Sequence, residues 1–369
     1  MNGAGIPILT YHRIADCERL NTSIFESHLE VLAASGIPSL LPKDLGRAGR
    51  GFMLTFDDGF ADCWTHVFPL LEKYGVRAVI FVIPAILGEG PERVQGKRVY
   101  HDDASQAHQE ASVALAPHQA FLRWSELTAM EKSGLVAVQS HSLEHRSIWG
   151  GDQITGFNLG SGNRTHWSLE QITGGDIRWG IPVYRRISAL ANRRFDDNRN
   201  LRDLLADWLE TRGGAAYVAE RGIEKTESEL WALLRSYESK NSIKGVWETI
   251  DARIKRTTAD IARARQVLEK RLGGTRDELC LPWGEYDSVT LECARKAGVR
   301  RMYTLDRGPN PAVNPGFLMN RFEPRPRGRF WLKSRLWIYT STLRSRLYAK
   351  LSSRGQTFTH SADGPRAVV

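Results

Sequence analysis

Gly51-Phe52-Met53-Leu54-Thr55-Phe56-Asp57-Asp58-Gly59 is the stretch on which the fold turns. Its short apolar run reads as a strand buried on both faces, the kind a parallel sheet makes, and it stops at two carboxylates and a glycine. Downstream, a helical pattern over 60–74 ends at Gly75, and 77–82 reads as the next strand. Upstream, 6–10 is a strand ending in Tyr11-His12-Arg13, followed by a helix over 25–34 closed by Gly36. The same rhythm returns at a helix over 124–133 capped by Gly134, a strand over 136–140 that runs into His141, and a strand over 278–281 that runs into Pro282-Trp283-Gly284. A helix over 288–297 and a strand over 301–305 complete it. Alternating strands and helices predict an α/β fold with a parallel sheet, closed as a barrel or open.

The rhythm breaks twice. Residues 84–119 lack periodicity and read as a long loop, and from 150 the composition turns to Gly, Asn, Ser and Thr before a helical pattern over 188–272. The expected organisation is a first barrel part over 1–149, a mostly helical insertion over 150–275, and a second barrel part over 276–325. A basic amphipathic helix over 326–354 and a disordered tail over 355–369 follow.

In a chain of 369 residues, 41% hydrophobic and 25% charged, composition excludes disordered and collagen-like classes. Cys17, Cys63, Cys280 and Cys293 form no CxxC pair, and the first seven residues lack the basic and apolar regions of a signal peptide. A reduced, cytoplasmic setting is expected. The net charge of +9 is concentrated between Arg321 and Arg354, where ten basic residues meet one acid, Glu323. There Leu332, Leu336, Tyr339, Leu343 and Leu347 recur at helical spacing, so the segment is expected to lie on an anionic membrane surface, placing the protein on the inner face of the cytoplasmic membrane. Nucleic acid is not an expected partner, because it leaves the chemistry at the strand ends unexplained.

That chemistry lies where parallel folds place their active sites, at the C-terminal ends of strands. His141 and His145 stand four apart, which one helical turn would place on one face within reach of a single metal ion. A carboxylate from a neighbouring strand end would complete a two-His, one-carboxylate set with positions left open. Adjacent Asp57 and Asp58 are costly to hold together unless a cation neutralises them, so one is expected to ligate and the other to take a proton from water.

Thr55-Phe56-Asp57-Asp58-Gly59, Ser140-His141-Ser142-Leu143-Glu144-His145 and Leu281-Pro282-Trp283-Gly284 together resemble the motifs of the polysaccharide deacetylase family, the NodB homology domain of carbohydrate esterase family 4. The resemblance covers about 6–148 and 276–324. It implies a distorted (β/α) barrel and metal-dependent removal of an N-acetyl group from an amino-sugar glycan or its lipid-linked precursor, metal-bound water attacking the amide carbonyl. By motif position Asp57 is the catalytic base, and Asp58, His141 and His145 hold a divalent ion, zinc first, with cobalt, nickel, manganese or iron as alternatives. Tyr11, Pro282 and Trp283 would contact the sugar, and the Trp283 N–H would assist at the oxyanion. The family's third motif commonly carries an arginine two residues before the proline, where this chain has Cys280. Its usual general-acid histidine is replaced near Leu318-Met319-Asn320-Arg321, and His12 is the candidate acid because a side chain at the end of the first strand can point into the same mouth. Deformylation of a lipid-carrier-linked amino sugar and glycan binding without turnover are the alternative functions.

Overall fold

The computed structural model describes residues 3–15, 20–96, 120–160 and 168–352. The expected disordered tail, Cys17 and the part of the expected loop over 97–119 lie outside the described residues. The chain divides into two compact units: the described residues of 146–257 form one, and the rest form the other.

The larger unit is a barrel. Strands β1 (Ile8–Tyr11), β2 (Met53–Phe56), β3 (Ala78–Val82), β4 (Val136–Ser140), β5 (Glu278–Cys280), β6 (Arg301–Thr304) and β7 (Leu318–Asn320) pair in that order, all in parallel. Closure is nearly complete: just past β7, the Phe322 N–H donates to the Ile8 carbonyl (3.1 Å) and its own carbonyl accepts from Thr10 N–H (3.0 Å). The distortion is local, because β4 and β5 pair only at Ser140 and Leu279. Helices α1 (Thr22–Ala33), α2 (Phe68–Tyr74), α3 (Trp124–Lys132) and α4 (Ser288–Lys296) surround this sheet. Asn21 caps α1 by accepting from the Ile24 N–H at 3.0 Å, and Gly75 ends α2 at φ 62°, a conformation that glycine adopts freely.

Because side chains alternate along a strand, each strand feeds two cores. Leu9, Tyr11, Leu54, Phe56, Ile80, Val82 and Val138 pack toward the helices, whereas Ile8, Met53, Val79, Phe81, Cys280, Tyr303 and Met319 fill the barrel interior. That parity fixes which side chains can reach the mouth.

The smaller unit corrects the reading of 150–180. Ser147–Phe157 pairs antiparallel with Pro182–Ser188, with register shifts between Trp149 and Gly156. Those irregularities break the alternation that would have announced a strand. Helices Arg199–Glu210, Ala215–Arg221 and Ile223–Glu238 then appear where the helical pattern predicted them, packed through Leu201, Leu205, Leu209, Leu230 and Leu234 against Phe157.

The single C-terminal helix expected over 326–354 is two helices, α5 (Arg329–Tyr339) and α6 (Thr342–Ser352). The start of the chain causes the break: Gly5 N–H takes the Thr340 carbonyl (2.9 Å), and Thr342 N–H is diverted to the Gly3 carbonyl (3.1 Å). A Cβ on Gly5 would collide with the Tyr339 carbonyl, so glycine is needed there. Among the described residues no helix is long and apolar enough to cross a membrane.

Candidate active site

The parity that sends Met53 and Thr55 inward sends Asp57 inward as well. Asp57 is buried at the end of β2, where its N–H donates to the Tyr11 carbonyl at 2.9 Å. The chain then turns sharply through Asp58 (φ 69°) and Gly59 (φ 76°). At Gly59 a Cβ would approach Val82 Cγ1 to 2.9 Å, so the turn needs a glycine. This turn separates the two carboxylates and aims them at different partners.

Asp58 Oδ1 lies 3.3 Å from His141 Nε2 and 3.6 Å from His145 Nε2. Ligand atoms of a tetrahedral zinc site, with bonds of about 2.0–2.1 Å, stand about 3.3 Å apart, so these spacings suit one ion. Asp58 Oδ1 is also buried without a well-formed hydrogen bond, as a ligand oxygen awaiting a cation would be. His141 Nδ1 lies 3.0 Å from the Cys280 carbonyl, which fixes the ring and turns Nε2 toward Asp58 Oδ1. Burial, and then the charge on His141, lower the His145 pKa to about 3, leaving a neutral imidazole with a lone pair to offer. Burial alone would raise the Asp58 pKa, but the close approach of the His141 and His145 rings brings it to about 2.

The two histidines converge by a route the spacing did not predict. Residues 141–146 form no helix: Ser142 (φ 69°) and His145 (φ 50°) lie in the left-handed region, and the Ser142 Oγ accepts from the His145 N–H at 2.9 Å. The expected helical turn is therefore a strained loop. Of the five non-glycine residues with positive φ among the described residues, four are at this site: Asp58, Ser142, His145 and Trp283. Such strain, of order 1–3 kcal/mol each, persists where surrounding structure imposes it and clusters at functional sites.

Asp57 belongs to a different set. Arg321, fully buried just past β7, donates Nη1 to Asp57 Oδ1 (2.7 Å) and Nη2 to Oδ2 (2.8 Å). The guanidinium also donates to the Thr304 carbonyl (3.2 Å), Thr55 Oγ1 (3.1 Å) and Cys280 Sγ (3.1 Å). Burial works against an ionised Asp57, but Arg321 and then His141 outweigh it and hold the carboxyl well below its usual range. Sequence reasoning missed this residue and counted it among the basic residues of the tail. A second cluster, Asp57, His141 and Cys280, is close enough to suggest ligation. Arg321 already occupies that carboxylate, and burial raises the Cys280 thiol, so the set does not suit a cation.

The remaining expected residues divide. His12, inward by parity, is partly exposed at the mouth with Nε2 3.9 Å from Asp57 Oδ2. Trp283 is partly exposed, with its ring centroid 4.2 Å from that of His145, and forms a wall beside the trio. Pro282 is buried and stiffens the turn without offering surface. Tyr11 is a correction: it points the other way, stacks on Phe56 (5.3 Å), and places its hydroxyl 3.0 Å from buried His28 Nδ1. It is core, and it cannot contact a sugar at the mouth.

Residues 46–197 match the family model described as polysaccharide deacetylase. That span runs past the limit of 148 set by the sequence resemblance and does not include 276–324. The provisionally named polysaccharide deacetylase YxkH of Bacillus subtilis (strain 168) is 26% identical over 157 residues, 40% of this chain and 46% of that protein. The match thus spans less than half of that relative. The de-N-acetylase from Aggregatibacter actinomycetemcomitans superposes with a TM-score of 0.56 at 15% identity, covering 90% of this chain and 99% of that one. IcaB from Ammonifex degensii gives 0.50 at 17% identity, covering 91% and 97%. At these identities the two structures attest the fold, a distorted parallel barrel with helices around it.

Proposed function

We propose, for a chain that belongs to the polysaccharide deacetylase family, that it hydrolyses the N-acetyl amide of an amino-sugar glycan or of its lipid-linked precursor. The observation that carries this reading is the division of labour between adjacent carboxylates: Asp58 faces two imidazole nitrogens, while Asp57 is tied to an arginine. Asp58, His141 and His145 would hold the divalent ion, with zinc favoured by the donor set. Bound there, such an ion supplies Lewis acidity to an amide carbonyl and lowers the pKa of water. Asp57, kept ionised by Arg321, accepts the proton of the attacking water. His12 at the mouth donates to the leaving amine, Trp283 offers its ring to the sugar, and its N–H is the candidate oxyanion donor.

Chelation should abolish acetate release from N-acetylhexosamine oligomers, and re-addition of zinc should restore it. Release of formate from a formylated amino sugar in place of acetate would support the deformylase alternative. Bound metal with no acyl release from any glycan, in protein that melts cooperatively, would favour glycan binding without turnover. His12→Ala should lower kcat by about 10²-fold with metal content unchanged, the scale of a lost general acid. Wild-type kcat in that variant would remove His12 from the mechanism.

A further inference from the structure

The inward face of α5 is filled: Leu332, Leu336 and Tyr339 are buried, and Tyr339 stacks on Phe322 with centroids 4.5 Å apart. The outward face is unusual. Among the described residues, five of the thirteen exposed large apolar side chains lie here: Phe330 (89% exposed), Trp337 (63%), Leu343 (46%), Leu347 (52%) and Leu351 (66%). Phe330 and Trp337 are seven apart on α5, and the three leucines are four apart on α6, so each helix presents one apolar stripe. Arg344 joins the two stripes: its guanidinium lies 4.3 Å from the Trp337 ring centroid, and its Nε donates to the Trp337 carbonyl at 2.7 Å. Arg325, Arg327, Lys333 and Arg346 are exposed on the same segment, and Glu323 is its one acid.

We propose that this face docks on an anionic lipid bilayer, with Phe330, Trp337, Leu343, Leu347 and Leu351 entering the headgroup–acyl boundary and the arginines and lysine meeting lipid phosphates. The charge argues for that occupant. A second copy of the chain would bring two basic faces together, and nucleic acid would leave the leucines in water. A mixed apolar and cationic face is complementary to an anionic leaflet on both counts. Of the stripe that spacing suggested, Leu343 and Leu347 remain for the bilayer, and Leu332, Leu336 and Tyr339 are consumed by the core. This docking is independent of the chemistry at the barrel mouth.

The test is co-sedimentation of the full chain with vesicles of phosphatidylcholine alone and with phosphatidylglycerol added. Binding is expected only with the anionic lipid, and it should weaken as salt rises. Lys333→Ser with Arg346→Ser should lower the partition coefficient about 25-fold, near fivefold for each charge. Leu347→Ser with Leu351→Ser should lower it at least tenfold, and both pairs should leave thermal stability and acetate release from soluble oligomers unchanged. The proposal is overturned by absence of binding to the anionic vesicles or by equal binding to both kinds. A dimer in sedimentation velocity that Leu347→Ser abolishes, or tighter binding to nucleic acid than to vesicles, overturns it equally.

Discussion

Asp57→Asn is expected to lower kcat for acetate release by roughly 10²–10⁴-fold while leaving the bound metal in place, and Asp58→Ala is expected to lose the metal. The contrast follows from how the turn at Asp58 and Gly59 aims two adjacent side chains. Both Asp57 oxygens are engaged by Arg321, so this carboxylate has no position to spare for a cation. Asparagine keeps the shape and one acceptor for the guanidinium but cannot take a proton. Asp58 Oδ1 faces the Nε2 atoms of His141 and His145, and its removal leaves two neutral nitrogens to hold the ion. Elemental analysis alongside acetate release on the two variants separates the roles. Metal lost from Asp57→Asn would make Asp57 a ligand, undiminished turnover would remove it as the base, and stoichiometric metal in Asp58→Ala would overturn the trio.

Much of this was legible because buried parallel strands are written as apolar runs with chemistry at their ends. The runs before Asp57, His141 and Pro282 located β2, β4 and β5, and with them the site. What failed was geometry that depends on parity or on strain. Tyr11 stands beside His12 in the sequence, yet it shares a face with Leu9, which packs toward α1, while His12 shares one with Ile8 in the barrel interior. Counting by two along β1 would have separated them. Four-residue spacing placed His141 and His145 together for the wrong reason, since a loop with positive φ at Ser142 and His145 achieves the convergence. No propensity announces a strained loop, because the surrounding fold imposes it. Arg321 was hidden by the charge run that follows it; two residues beyond inward Met319, it has the parity of the interior.

Arg321→Met should be the most damaging single substitution in the barrel, lowering stability by about 3–5 kcal/mol, because it leaves Asp57 buried without its cation. The neutral donor then left beside Asp57 is Thr10 Oγ1 at 3.4 Å, too long a contact to hold a buried charge. Removing both members in Arg321→Met/Asp57→Asn should recover much of that loss, because no uncompensated carboxylate remains. The two effects on stability should therefore be far from additive in a thermal or urea double-mutant cycle. Folded Arg321→Met should also turn over about 10²-fold more slowly, since a carboxylate freed from a two-point clamp no longer presents one geometry. Fold and chemistry can be separated by moving the guanidinium. Arg321 Nη2 reaches Cys280 Sγ at 3.1 Å, so an arginine at 280 would start beside the space its partner vacates. Cys280→Arg in the Arg321→Met background should restore part of kcat together with stability. Stability restored without kcat would make Arg321 a structural counterion only, and additive stability losses in the cycle would show that the Asp57–Arg321 pair is not coupled at all.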